Sequence, residues 1–527
     1  MEINLPDLIS IIIIVSCFIG VLICIITDKV NKAIAALIGS LITYFTLIFI
    51  HSDDPLDFID MLFGAGPKYD NLHALVLIIG MLFIVQVCTS AGVFQFIAIK
   101  VVKMTKGKPF LLLIAICSIT LLATSVLGGI LAIVILIPLT IVIFRILGID
   151  PIPYLLCQAV MIPIGEIIFS ISSVPTILIT TFAEISFADF FLNVGLFCLI
   201  LFLITLFYFN LFYRKKLKAP KKKLVTILMD FNEWNYVPDK RLFYRSIIIF
   251  ISVIIGFIVI PSTILSPDII ALTGAVSLVV INKLNGKEII KKIDLELLLY
   301  LLGIFLITGA IEHVGVIQAI GEGFKDLMGE NSLIQVLSIL WLSAFLSSTI
   351  DDIPVVKVLI PIVNITSPGY NAAYFSLAFG TALGDNLTPL GDTIMIRNIA
   401  EQHGRPFTNA AFFKIGFKVA LIHLTAVSIY FIFFNNTIMG FLIVCFIILL
   451  IFLTIFVQYL RKSFKRDSTL ILSKAFRKLK DQKYRTDRKL IFREFSRRIS
   501  PPFYNRNWTN TIEFILKSFK RFLKEML

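Results

Sequence analysis

The chain has 527 residues, of which 58% are hydrophobic and only 16% charged, with a mean hydropathy of +0.94. Soluble domains average about 45–50% apolar and about 25% charged residues, so this composition excludes an ordinary soluble globular protein and predicts an all-α chain that crosses a membrane many times. The formal charge of +14 is local: residues 459–527 carry 20 basic and 6 acidic side chains, the rest is balanced at 28 of each, and the basic pI is therefore no sign of nucleic-acid binding.

From the N-terminus, "MEINLPDLIS" lacks the basic region of a signal peptide, so the first apolar segment is expected to persist as a helix. Membrane segments are predicted near 7–27, 32–50, 73–92, 109–125, 126–147, 154–182, 189–213, 244–262, 267–282, 295–312, 333–347, 350–365, 371–396, 412–434 and 437–458. The loops orient them. "RKKLKAPKKK" (214–223), "NKLNGKEIIKK" (282–292) and the tail are basic and expected in the cytoplasm; "HSDDPLDFID" (51–60) and "FAEISFAD" (182–189) are acidic and expected outside. This places the N-terminus outside and the C-terminus in the cytoplasm of a cell-membrane protein. It agrees with 109–147 and 333–365 being re-entrant hairpins with short arms, although two full spans in either place would keep the same parity. The seven cysteines all lie in apolar segments without a CxxC pair, which predicts neither disulfides nor a zinc site. His313, His403 and His423 are assigned no role.

Self-comparison finds a repeat. "SVLGGILAIVILIP" (Ser125–Pro138) aligns without a gap on "STIDDIPVVKVLIP" (Ser348–Pro361), setting Gly128 and Gly129 against Asp351 and Asp352. "IGEIIFSISSVPTILI" (Ile164–Ile179) aligns on "LGDNLTPLGDTIMIRN" (Leu383–Asn398), setting Glu166 against Asp385 and Ser173 against Asp392. The expected organisation is a first repeat over 1–213, a basic cytoplasmic linker over 214–242, a second, inverted repeat over 243–434, an extra transmembrane helix over 435–458 and a basic cytoplasmic tail over 459–527. Inverted repeats with interrupted helices at matching places are the pattern of secondary transporters, whose sites lie where broken helices expose backbone polar groups. "LGDNLTPLGD" is such a break, with Gly384, Pro389 and Gly391 opposing a continuous helix and Asn386 and Thr388 offering neutral oxygens.

The acids carry the chemistry. A carboxylate at the bilayer centre costs about 2.5–3.5 kcal/mol on insertion scales, so Glu166, Asp351, Asp352, Asp385 and Asp392 need partners. One lysine, Lys357, follows Asp352 by five residues. The acidic excess fits a cation: sodium takes carboxylate, hydroxyl, amide and carbonyl oxygens, and protons compete for the same carboxylates. A site that holds either is the minimum an antiporter needs. Plainer roles stand beside this one. Asp351 can cap the second hairpin arm or pair with Lys357, Asp385 can cap a half-helix, Glu166 can pair across the repeats, and Asp392 can be an N-cap.

These motifs resemble the ion transporter superfamily that contains the NhaD sodium/proton antiporters, the arsenite permeases and the citrate/dicarboxylate transporters, over roughly residues 10–434. "TPLGDT" (Thr388–Thr393) is similar to the antiporters' "SPIGD" element, and "SSTIDD" (Ser347–Asp352) to their Ser-x3-Asp-Asp hairpin. The resemblance implies a sodium or lithium/proton antiporter, not an enzyme and without a resident cofactor. Ser347, Asp351, Asp352, Asn386, Thr388 and Asp392 would line the ion path, with Asp351, Asp352 and Asp392 as Na+ ligands; the residue reading adds Glu166 and Asp385. A homodimer is common in that superfamily. Two departures stand: the antiporters' acidic hairpin belongs to the first half, where this chain has Gly128–Gly129, and "MIPIGEII" replaces the Asn-Gly-Gly element of the anion carriers, with Pro163 and Glu166 in two of its places. The alternatives are an anion carrier for arsenite or a di- or tricarboxylate, and a non-transporting membrane scaffold. In the tail, "TNTIEFILKSFKRFLKEML" (509–527) sets apolar residues on one helical face and Lys517, Lys520, Arg521 and Lys524 on the other, which predicts contact with anionic lipid headgroups; "SPPFYNRNW" (500–508) breaks it from an earlier helical region at 469–499.

Overall fold

In the computed structural model, residues 5–435 and residue 438 are described, apart from 28, 52, 55–56, 65–68, 214–216, 218 and 231. The expected helix over 437–458, apart from residue 438, and the whole of the expected tail lie outside the described residues. Met1–Phe431 is one compact unit. Its described residues are helical and contain no strand. In lipid a helix satisfies its own backbone polar groups without water, which is why so apolar a chain takes this form. Nine of these helices are long and apolar enough to cross a membrane by length and composition. Side chains such as Ile12, Leu203, Phe207, Ile248 and Ile255 stay more than half exposed, a surface suited to lipid, while Phe144, Phe190, Phe209, Phe305, Phe379 and Phe412 are fully buried.

The order of elements recurs. The first half runs Leu5–Thr27, Lys32–Thr46, a short helix Asp57–Phe63, Asp70–Ser90, Val93–Met104, a hairpin of Pro109–Leu127 and Gly129–Leu147, an interrupted helix of Ile152–Glu166 and Val174–Phe182, and Leu196–Tyr213 after the short helix Phe187–Phe190 and a π-helical stretch Phe191–Gly195. The second runs Lys240–Val259, Pro267–Ile281, a short helix Gly286–Ile290, Leu295–His313, Val316–Met328, a hairpin of Ser332–Ser347 and Asp352–Thr366, an interrupted helix of Asn371–Gly384 and Asp392–Gln402, and Asn409–Asn435. Pro138 and Pro361 fall inside the second arm of each hairpin. The helices Val93–Met104 and Val316–Met328 fall between the predicted segments, because their mixture of apolar and polar residues escapes a count of continuous apolar runs. The hairpin arms also differ from expectation. The first pair has 19 residues each, about 28 Å of helix and enough to span, whereas the second has 16 and 15.

The halves exchange partners. Helix Lys32–Thr46 packs on Leu295–His313, and its counterpart Pro267–Ile281 packs on Asp70–Ser90. Both crossings use small residues: a Cβ added to Gly303 would lie 2.7 Å from the Ala36 backbone, and one added to Gly80 would lie 2.9 Å from that of Ala271. Without a hydrophobic drive between helices in lipid, such close backbone approach supplies the dispersion energy that holds them. The first arm of each hairpin lies along the first piece of the interrupted helix that follows it. The second arms cross over: Gly129–Leu147 meets Asp392–Gln402, and Asp352–Thr366 meets Val174–Phe182. The linker docks on the first half through Lys103 Nζ, 2.8 Å from Glu233 Oε2, with Trp234 tilted against Phe96 and Lys240 over the Trp234 ring. That ammonium holds the Glu233 carboxyl below its usual range.

Candidate functional site

The crossover brings the two hairpin tips to the two helix breaks. Ser347 ends the first arm of the second hairpin; its hydroxyl donates to Asp352 Oδ1 and lies 2.6 Å from the Thr381 carbonyl and 3.5 Å from Asp385 Oδ1. Asp352 and Asp385 thus face the same Ser347 hydroxyl. Thr388 donates to the Ser348 carbonyl, closing the break onto the hairpin tip, and Asn386, 1% exposed, donates through Nδ2 to the Val160 carbonyl of the first half at 3.1 Å. The two hydroxyl hydrogens and one hydrogen of the Asn386 amide are spent on protein, which leaves hydroxyl and amide oxygen lone pairs for another ligand.

The first half supplies the other wall. Glu166 ends the helix Ile152–Glu166 and its Oε1 accepts from the Gly129 N–H at the start of the second hairpin arm. A Cβ placed on Gly129 would land on two oxygens at once, Asp392 Oδ2 and Glu166 Oε1. An acid from each half therefore converges on a glycine, and the apparent gap in the repeat, Gly129 opposite Asp352, is the space those carboxyls occupy. Gly128 and Gly391 turn the chain at the adjoining helix starts with φ of +73° and +55°, a region side chains rarely adopt. Asp352, Asp392, Glu166 and Asp351 all bear electrostatically on Asp385. Glu166, Asp351, Asp352, Asp385 and Asp392 are each partly exposed.

Several sequence expectations take definite form. Asp351 is the N-cap of Asp352–Thr366, accepting from the Ile353 N–H at 3.2 Å. Its ion pair is with Lys32 Nζ at 2.8 Å, not with Lys357. Five residues along a helix from Asp352 is about 140° round the axis, so Lys357 points elsewhere: it donates to Asn71 Oδ1 at 2.7 Å and lies over the Phe305 ring. Asp385 sits at the C-cap of Asn371–Gly384 and caps no N-terminus, and Asp392 is the first helical residue after an N-cap Gly391. Glu166 faces across the repeats, but toward an acid. Sequence reasoning missed Lys32, whose place at the start of a span looks like an ordinary interfacial lysine, and Gly129, whose importance is the side chain it lacks.

The citrate transporter family matches residues 22–384 of the 527. The chain belongs to the citrate transporter family. The family match ends at Gly384, so Asp385, Asn386, Thr388 and Asp392 lie beyond it. Among its relatives, a 46 kDa membrane protein of Mycobacterium leprae is 27% identical over 412 residues, covering 77% of this chain and 94% of that one. An uncharacterized transporter of Mycobacterium tuberculosis is 26% identical over 425 residues, covering 79% and 96%. The human P protein is 23% identical over 494 residues; the match covers 77% of this chain and 58% of that one. Two solved structures share the fold. Neisseria gonorrhoeae MtrF, described as one of a class of antimetabolite efflux pumps, aligns with a TM-score of 0.53 at 14% identity, over 82% of this chain and 95% of its own. The Alcanivorax borkumensis YdaH transporter, described as having an unusual topology, aligns with a TM-score of 0.54 at 12% identity, over 82% and 98%. Like these, this citrate transporter family member is a helical membrane transporter and not an enzyme.

Proposed function

We propose that the protein is a secondary active Na+/H+ antiporter that works by alternating access, with the carboxyl groups of Glu166, Asp352, Asp385 and Asp392 as the shared seat. The observation that carries this reading is the meeting of Asp392 and Glu166, one from each half, on Gly129, beside the Ser347–Asp352–Asp385 group. Carboxyls this close cannot all stay ionised without a cation, because like charges repel strongly where little water screens them. Either protons or a metal cation must neutralise them, and each excludes the other. Hard oxygens suit Na+: the carboxylates, with Ser347, Asn386 and Thr388 nearby, form the donor set. Asp351 is partly neutralised by Lys32, so it steers cations toward the group or tethers the hairpin tip. Alternating access follows if the inverted halves rock against each other around the site that both build.

A second reading is an anion carrier of the same fold, with the acids serving Na+ or H+ coupling. The match to the citrate transporter family favours it. Transport in inside-out vesicles separates the two. Antiport gives proton release on adding Na+ that is lost in Asp392→Asn and Asp352→Asn. Uptake of a di- or tricarboxylate with no Na+-driven proton release sinks antiport in favour of the anion carrier.

A further inference from the structure

A second cluster of polar groups lies at the far side of the exchanged helix pair. The first-half helix Lys32–Thr46 continues as a π-helical turn, Leu47–His51, and the second-half helix Leu295–His313 ends on a histidine. These helices pack on each other, and their ends meet. The His51 and His313 rings meet edge to face with centroids 5.9 Å apart. Asp53 lies between them: His51 Nδ1 is 2.8 Å from Asp53 Oδ1, and His313 Nε2 is 3.2 Å from Asp53 Oδ2. Asp7 Oδ1 approaches His51 Nε2 to 3.8 Å.

A network of imidazole–carboxylate hydrogen bonds accounts for only half of this. His51 serves Oδ1, but Asp53 Oδ2 is buried and accepts no hydrogen bond among the described residues, although His313 Nε2 is near enough. A buried carboxylate oxygen that accepts no hydrogen bond is costly. A ring nitrogen and a carboxylate oxygen about 3.2 Å apart with no hydrogen bond between them have the spacing of two ligands on one ion, since Zn–N and Zn–O bonds of about 2.0–2.1 Å in a tetrahedron set ligand atoms roughly 3.3 Å apart. One ligand atom from each of His51, Asp53 and His313 lies within 4.8 Å of the other two. The His313 side chain is 34% exposed, which leaves room for water in the open position.

We propose that His51, Asp53 and His313 bind one divalent transition-metal ion of the Zn2+ class, clamping the first half to the second at the shared end of their exchanged helices. Two imidazoles and a carboxylate favour Zn2+, Co2+ and Ni2+ over the all-oxygen coordination of Mg2+ and Ca2+. The site is separate from the carboxyl group proposed for transport, and neither proposal depends on the other.

The test uses the full chain, purified in lipid nanodiscs, with Co2+ as a visible probe. The expected result is one Co2+ per chain giving a low-symmetry ligand-field absorption, displaced by Zn2+ but not by Mg2+. His51→Gln and His313→Gln each weaken it by about ten-fold or more. Zn2+ raises the melting temperature of the wild type and not of the doubly substituted chain. Co2+ binding unchanged in both variants, or absent from the wild type, overturns the proposal. Should the variants fail to accumulate, acylation of wild-type histidines by diethyl pyrocarbonate still decides. Zn2+ must protect His51 and His313 while His73 and His403, held elsewhere by Asp268 and the Ile399 carbonyl, react at an unchanged rate. Equal protection of all four, or of none, overturns it.

Discussion

At the scale of the residue, the decisive position carries no side chain. Gly129 starts a helix, where alanine is favoured by up to about 1 kcal/mol over glycine, so backbone propensity alone favours Gly129→Ala. Its Cβ, however, would strike the Asp392 and Glu166 oxygens. Displacing them costs about 1–3 kcal/mol, which outweighs the propensity gain, so the melting temperature should fall modestly while apparent Na+ affinity falls about ten-fold or more. Wild-type Na+ dependence in that variant would place the ion somewhere else. The acids themselves were legible in the sequence, since charges so deep in apolar segments demand a reason. Gly129 was not, because a repeat comparison shows a glycine opposite Asp352 as a missing acid. Only coordinates show that two acids from elsewhere fill the space. His51 and His313 were equally silent: they stand 262 positions apart, and no spacing rule links them.

At the scale of the element, the question is what holds the hairpin tips against the breaks. The Lys32–Asp351 pair ties the second tip to a first-half helix across 319 residues. Lys32 is 43% exposed along its side chain, so solvent weakens the attraction. A double-mutant cycle with Lys32→Ala and Asp351→Ala should give a coupling of no more than about 1 kcal/mol in thermal unfolding, with Asp351→Ala the costlier single change because it also removes the N-cap. Equal single effects would mean that the cap is idle. The close crossings matter more. Gly303→Leu forces the Ala36 backbone away and should destabilise by about 1–3 kcal/mol, read as a lower melting temperature in detergent, whereas Gly323→Leu, with open space around it, should be neutral. The spans and both helix breaks were legible from apolar length and from Gly and Pro placement. The amphipathic helices Val93–Met104 and Val316–Met328 were not, and neither were the full 19-residue arms of the first hairpin, since apolar length alone does not tell a hairpin arm from a span.

At the scale of the whole molecule, the exchange of partners has a consequence for assembly. Neither half keeps its own helices to itself: Lys32–Thr46 rests on Leu295–His313, Asp70–Ser90 on Pro267–Ile281, and each second hairpin arm lies on the other half's interrupted helix. The carboxyl group is likewise split between Glu166 on one side and Asp352, Asp385 and Asp392 on the other. In lipid, helices separate with little hydrophobic penalty, so a half deprived of its partner loses close packing without any compensating collapse. Residues 1–231 and 232–527 expressed separately should therefore be degraded or yield to protease within the membrane. Expressed together they should associate, because the helix crossings between the halves persist without the covalent link, and the dock of Glu233 and Trp234 on Lys103 and Phe96 adds to them. Protease-resistant accumulation of either half alone would contradict the exchange, and failure of the co-expressed halves to associate would mean that the covalent link, rather than the helix crossings, holds the molecule together. Co-purification after solubilisation measures both outcomes, and Gly303→Leu in the second half should weaken the association in the same assay.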